Sequence, residues 1–304
     1  MRKRLLIIVI FLLSTLTLLF ADSVRTLEQI DLASMTLKEF EGGHRLLSLK
    51  GLSRYDGSRN TPVYVAAIGK VYDFTGLRRW AGGSHMGQHS SGEELTSDLL
   101  GDSPHGAARL DRGEPVALLV FTMEEIREHE ADSNKKTYFP IGGKVYDVSG
   151  GPENALVVGI SGYTPSELVF FDGLEGRKSF IAIEGKVYDV TLSESWGDVS
   201  ETIGALKPGH DITREISEHP VSPDFFESAE IAGLLVFDYD ELARFSGAAG
   251  TKAYVASGGI VYDISGIDSA LALAGTDITG KIDEDSSLAG IIDSSPVVGF
   301  MINE

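Results

Sequence analysis

Seven histidines occur in the chain, and three of them, His85, His89 and His105, fall within one short stretch. Neutral imidazole is a ligand for Zn, Cu and Fe. Three imidazoles this close in sequence therefore point to a bound transition metal, with His85, His89 and His105 as its candidate ligands. The competing interpretation is that these are surface histidines in a Gly/Ser-rich loop. There is no cysteine. That excludes disulfides, zinc–thiolate sites, iron–sulfur clusters, thioether-linked haem and a lipidated cysteine. Any metal must be held by His, carboxylate, Tyr or Met.

The elements that must position these residues recur four times. The copies are Val63-Tyr64-Val65-Ala66-Ala67-Ile68-Gly69-Lys70-Val71-Tyr72-Asp73, Tyr138-Phe139-Pro140-Ile141-Gly142-Gly143-Lys144-Val145-Tyr146-Asp147, Phe180-Ile181-Ala182-Ile183-Glu184-Gly185-Lys186-Val187-Tyr188-Asp189 and Tyr254-Val255-Ala256-Ser257-Gly258-Gly259-Ile260-Val261-Tyr262-Asp263. β-Branched and aromatic residues alternate around a glycine, which is a hairpin signature. The spacing of the four Asp residues is long, short, long, so a two-unit block is duplicated. Downstream come Gly-containing segments ending in Thr, at Gly92–Thr96, Gly162–Thr164, Gly209–Thr213 and Gly275–Thr279. An apolar strand closes each unit, at Val116–Phe121, Glu167–Phe171, Ile231–Phe237 and Val297–Ile302. In the long units a helix follows, over 123–127 and 239–243. The repeated Val-Tyr-Asp is structural, because copies without any plausible site keep it; its Asp is placed to satisfy turn amides.

The first copy resembles the cytochrome b5-like haem/steroid-binding domain, especially its short prokaryotic branch. The residues that carry the resemblance are Leu52-Ser53-Arg54-Tyr55-Asp56-Gly57, Pro62–Ala66, Gly69-Lys70-Val71-Tyr72-Asp73-Phe74-Thr75-Gly76, Trp80, Gly83, His85-Met86-Gly87-Gln88-His89, Gly92, Leu95-Thr96 and Pro104-His105-Gly106. The resemblance covers residues 52–121 well; the other units match in the hairpin, the Gly…Thr segment and the closing strand. It implies a bound haem b with His105 as second axial ligand. The first ligand is His85, with His89 as the alternative, since the usual His-Pro-Gly-Gly motif of the family is absent. No tyrosine stands where the steroid-receptor branch would place its ligand. A bis-imidazole iron passes single electrons and has no open position for oxygen. Trp80, Met86, Leu95, Leu99 and Leu100 would enclose the porphyrin.

These features predict an α+β fold of tandem cytochrome b5-like units, two long and two short, arranged as a duplicated two-unit block. Residues 1–21 read as a signal peptide or membrane anchor: Met1-Arg2-Lys3-Arg4 is basic and Leu5–Phe20 almost wholly apolar. The apolar run spans about 24 Å as a helix, short of the ~30 Å hydrocarbon core. Residues 22–50 form a mixed helical lead-in. Block one is 51–174, with a long unit 51–135 and a short unit 136–174. Block two is 175–304, with a long unit 175–247 and a short unit 248–304. The short units, 136–174 and 248–304, contain no histidine. His210 and His219 of the third unit are displaced from the positions of the first unit's histidines, so this unit reads as a degenerate copy kept for packing.

The expected function is extracytoplasmic haem binding with electron transfer, secreted or anchored by the N-terminal segment, and no catalytic turnover. The alternative is a non-redox module for a small hydrophobic, steroid-like ligand or a protein partner. A net charge of −19 argues against nucleic acid. It suits a basic redox partner. Contact with a membrane is expected only through the N-terminal segment.

Overall fold

The computed structural model describes residues 45–303, apart from 103–105, 205, 220, 223–224, 227–228 and 283–285. The four hairpins form as expected, in one common register. They are β2–β3 (Tyr64–Ala67, Lys70–Asp73), β7–β8 (Tyr138–Ile141, Lys144–Asp147), β10–β11 (Phe180–Ile183, Lys186–Asp189) and β13–β14 (Tyr254–Ser257, Ile260–Asp263). In each, the first residue lies opposite the Asp: Tyr64 and Asp73, Tyr138 and Asp147, Phe180 and Asp189, Tyr254 and Asp263. One Asp oxygen accepts the backbone N–H two residues on, at Thr75, Ser149, Thr191 and Ser265. The hydroxyl there accepts the N–H of Val63, Thr137, Ser179 or Ala253. Val-Tyr-Asp thus stitches the two ends of each hairpin together.

Every hairpin pairs antiparallel with a longer strand: β3 with β6 (Glu114–Thr122), β8 with β9 (Leu156–Tyr163), β11 with β12 (Glu230–Phe237) and β14 with β16 (Val297–Asn303). All four pairings skip one residue at the Val-Tyr step, leaving Val116, Val158, Ala232 and Val298 as bulges. A bulge bends its strand, and beyond the bend these strands meet one another. β1 (Arg45–Ser48) pairs in parallel with β6, β6 with β9, β9 with β12, β12 with β16, and β16 with β1. Five parallel strands close into a barrel, and the hairpins extend its sheet.

This overturns the expected fold class. Two blocks of tandem α+β cytochrome b5-like units do not form; the units share one barrel. The reason is in the closing strands. Runs such as Leu118-Leu119-Val120-Phe121 are buried on both faces, as strands of a parallel sheet are, and not on one face only. Leu46, Leu118, Val120, Ile160, Leu234, Val236, Phe300 and Ile302 belong to one core. Leu47, Leu119, Phe121, Tyr163, Leu235, Phe237 and Met301 belong to a second.

A short helix follows each of the first four barrel strands: α1 (Leu49–Leu52), α2 (Met123–Glu130), α3 (Pro165–Leu168) and, after the third unit's α4 (Glu194–Ile203) and α5 (Thr213–Glu218), α6 (Tyr239–Ala243). Ser48, Thr122, Thr164 and Asp238 cap them, each side chain accepting the amide three residues on. α7 (Ser286–Asp293) precedes the last strand.

The expected localisation is corrected as well. Residues 1–21 lie outside the described residues. Among the described residues no helix is long and apolar enough to cross a membrane. The longest described helix, α4, has 10 residues, about half of what a bilayer core requires.

Candidate functional site

The first unit's histidines sit on a small hairpin, β4 (Ser84–His85) and β5 (His89–Ser90), in which His85 and His89 are directly opposed. Met86 and Gly87 both take positive φ, and the Gln88 amide donates to the His85 carbonyl. The turn is a tight one closed by this bond, with three residues between the paired histidines. The hairpin is anchored at Gly83, whose φ is +77° and where a Cβ would lie 1.8 Å from the Asp56 carbonyl oxygen; only glycine fits. The Ser91 amide donates back to the Gly83 carbonyl at 2.7 Å.

From there Gly92–Thr96 runs beside β2. Gly92 donates to Tyr64, Ala66 to Glu93 and Leu95 to Ala66, and the Ile68 amide donates to the Thr96 hydroxyl. The expected Gly…Thr segments of the third and fourth units dock in the same way on their own hairpins. That of the second does not: Gly162-Tyr163-Thr164 ends β9 and caps α3.

Rings stack from the core out to this hairpin: Tyr72 on Phe74 at 6.3 Å, Phe74 on Trp80 at 5.5 Å, Trp80 on His85 at 5.0 Å and His85 on His89 at 6.2 Å between centroids. His85 thus has both Trp80 and His89 as ring neighbours. The Nδ1 of His89 lies 3.8 Å from Asp98 Oδ1. The other Asp98 oxygen lies 3.5 Å from Lys136 Nζ. Lys136 also donates to the Glu94 carbonyl at 2.7 Å and to Glu94 Oε2 at 3.1 Å. Burial raises the Glu94 carboxyl above its usual range, against the opposing pull of Lys136.

The expected pocket residues divide. Leu95 is buried, and Trp80 and Leu99 pack against the same core. Met86 at 73% and Leu100 at 39% are exposed; they stand on the β4–β5 tip and on the π-helical turn Asp98–Asp102. His105 lies outside the described residues, between that turn and the 3-10 segment Gly106–Arg112. Among the described residues no group of three or more His, Asp or Glu is arranged to hold a metal ion.

In the third unit His210 and His219 are exposed, each with Nδ1 against a backbone carbonyl, of Pro208 and Glu215 respectively. A separate core of Ile181, Ile183, Tyr188, Ile212, Ile216 and Phe225 fills this unit, with Trp196 and Phe226 packed on it. Two residues at the first site escaped the sequence reading, Asp98 and Lys136. Lys136 belongs to the next unit, and no local spacing brings it to His89.

A quarter of this chain is similar to cytochrome b5 domain proteins. A Hadesarchaea cytochrome b5 domain protein is 43% identical, over 25% of this chain and 97% of its own, with a TM-score of 0.24. A Methanococcoides burtonii cytochrome b5 domain protein is 35% identical over 25% of this chain and 96% of its own, also with a TM-score of 0.24. The other three quarters of this chain lie outside the likeness, and a TM-score of 0.24 supports no argument from overall shape. No family model and no curated protein matches the chain.

Proposed function

We propose that the first unit binds haem b between two imidazoles, His89 and His105, and that the protein carries single electrons without turning over a substrate. The observation that carries the assignment is the setting of His89. A metal-bound imidazole usually has its second nitrogen held by a carboxylate or carbonyl. Asp98 Oδ1 stands 3.8 Å from His89 Nδ1, so a proton on Nδ1 would face it and Nε2 would carry the lone pair. His85, a ring neighbour of both Trp80 and His89, would instead pack beside His89. The residues present fit the group: the donor is an imidazole with a carboxylate behind it. Exposed apolar side chains, Met86 and Leu100, stand on the two segments that a flat apolar ligand would cover. Bound haem would supply a one-electron iron couple. This chain's residues would hold its iron and shield its edge.

Haemin titration tests this. The full chain should develop a Soret band and a bis-imidazole spectrum. His89→Ala and His105→Ala should abolish that spectrum, and His85→Ala should keep it with weaker binding. A chain that takes up no haemin, or a His89→Ala variant with an unchanged spectrum, refutes the proposal. With a net charge of −19, the electron partner is expected to be basic, and transfer to it should slow as salt is added.

A further inference from the structure

We infer that Lys136, supplied by the second, histidine-free unit, is a positioning residue for His89 of the first. This rests on His89 being the haem ligand. Lys136 sits two residues before β7. Its own carbonyl is held by His129 Nδ1 of α2, at 3.1 Å. Its ammonium reaches across to the first unit, where it donates to the Glu94 carbonyl and carboxylate and pairs with Asp98 Oδ2 at 3.5 Å. Asp98 Oδ1 faces His89 Nδ1. One carboxylate therefore stands between the lysine and the imidazole, 3.5 Å from the first and 3.8 Å from the second.

The physical consequence follows from what each group can donate. Lysine is a donor only and a carboxylate an acceptor only, so Lys136 fixes where the Asp98 carboxylate points. A carboxylate fixed beside Nδ1 favours the tautomer with its proton on that nitrogen. The lone pair is then on Nε2, which faces away from Asp98. Without Lys136, Asp98, about a third exposed, would turn to water, and His89 would lose both its tautomer bias and its orientation.

The chain contains its own control. Lys252, two residues before β13, grips the third unit in the same manner. It donates to the Asp211 carbonyl at 2.8 Å, lies 3.6 Å from Asp211 Oδ2 and reaches Glu215 Oε2 at 3.3 Å. Leu206, not histidine, stands near the corresponding place in that unit's sequence. The clamp is thus a general device joining a long unit to the next short one, and only in the first pair does it end on an imidazole.

The test compares Lys136→Met, Lys136→Arg and Lys252→Met in the full chain, each shown to be folded by circular dichroism. Haem-free protein is examined by ring-nitrogen NMR of His89, and haemin dissociation constants are then measured. Lys136→Met should shift the His89 proton away from Nδ1 and weaken haemin binding about 10-fold or more, the usual cost of losing a residue that orients a ligand. Lys136→Arg should restore both, and Lys252→Met should change neither. An unchanged tautomer and affinity in Lys136→Met would overturn the inference, as would equal losses in Lys136→Met and Lys252→Met. If the unaltered chain takes up no haemin while Lys136→Met still shifts the tautomer, the haem assignment fails and the positioning stands.

Discussion

His85 and His89 are the same residue type on facing positions of one hairpin, and only their neighbours distinguish them. A third histidine shows the same dependence on surroundings. Each hairpin begins with an aromatic residue packed on a second ring nine residues earlier: Tyr64 on Tyr55, Phe180 on Phe171 and Tyr254 on Phe245, all at 4.5 Å. In the second unit His129 takes that place against Tyr138, at 4.8 Å. Burial pushes the His129 imidazole below its usual range, ahead of the opposing pull of its bond to the Lys136 carbonyl. The folded chain therefore binds this proton less readily than the unfolded chain. Its contribution to stability is complete above the unfolded value, about 6.5. It is lost as the pH falls from there through the depressed folded value. Replacing His129 with Phe removes this term. In urea titrations the stability of the unaltered chain relative to His129→Phe should decline as the pH falls below about 6.5. A difference constant with pH would contradict this. The sequence shows a histidine here, but not that it stands in a ring position. That equivalence becomes visible only when the four hairpins are superimposed.

At the scale of the elements, the four hairpins and their Asp-centred turns are legible in the sequence, because period-2 alternation and a turn glycine are local signals. The caps were not read: the Thr122-x-x-Glu125 box opens an expected helix, but the Thr164-x-x-Glu167 box opens a helix where an apolar closing strand, Glu167–Phe171, was expected. What the boxes join was not legible either. Glu125 accepts the amides of Thr122, at 2.9 Å, and of Lys50 in α1, at 2.7 Å. Glu167 accepts those of Thr164, at 2.8 Å, and of Glu124 in α2, at 2.5 Å. Each glutamate thus serves its own helix and the first turn of the helix before it. Thr164→Ala removes one cap bond and should cost about 1 kcal/mol. Glu167→Ala leaves two amides without partners and should cost about 2 kcal/mol or more. Urea midpoints at constant m decide between them. Equal losses would show that the link to α2 contributes nothing. The small residues of the barrel strands carry a similar constraint. A Cβ at Gly159 would lie 2.6 Å from the Phe121 ring and 2.7 Å from the Leu119 carbonyl oxygen, and one at Gly299 would lie 2.4 Å from the Phe237 ring.

At the scale of the whole molecule, ring closure was the part the sequence did not disclose. β1 is four residues, Arg45-Leu46-Leu47-Ser48, a strand inside the segment 22–50 that was expected to be a mixed helical lead-in. Nothing local marks it as the strand that joins β6 to β16, since a parallel pairing between the two ends of a chain leaves no short-range signal. Yet it decides how the protein should unfold. In a row of separate blocks each would melt alone, and residues 51–174 would be as stable by themselves as in the full chain. In a closed barrel, the 51–174 fragment lacks β1, a partner of β6, and β12, a partner of β9, which exposes the edges of strands whose both faces are apolar. The full chain should therefore unfold in one transition seen alike by far-ultraviolet circular dichroism and tryptophan fluorescence. Its two tryptophans report opposite sides of that boundary, Trp80 in the first unit and Trp196 in the third. The isolated 51–174 fragment should be unfolded or aggregated at neutral pH. Two separated transitions, or a fragment that folds with the stability of the intact chain, would mean that the barrel contacts do not couple the units.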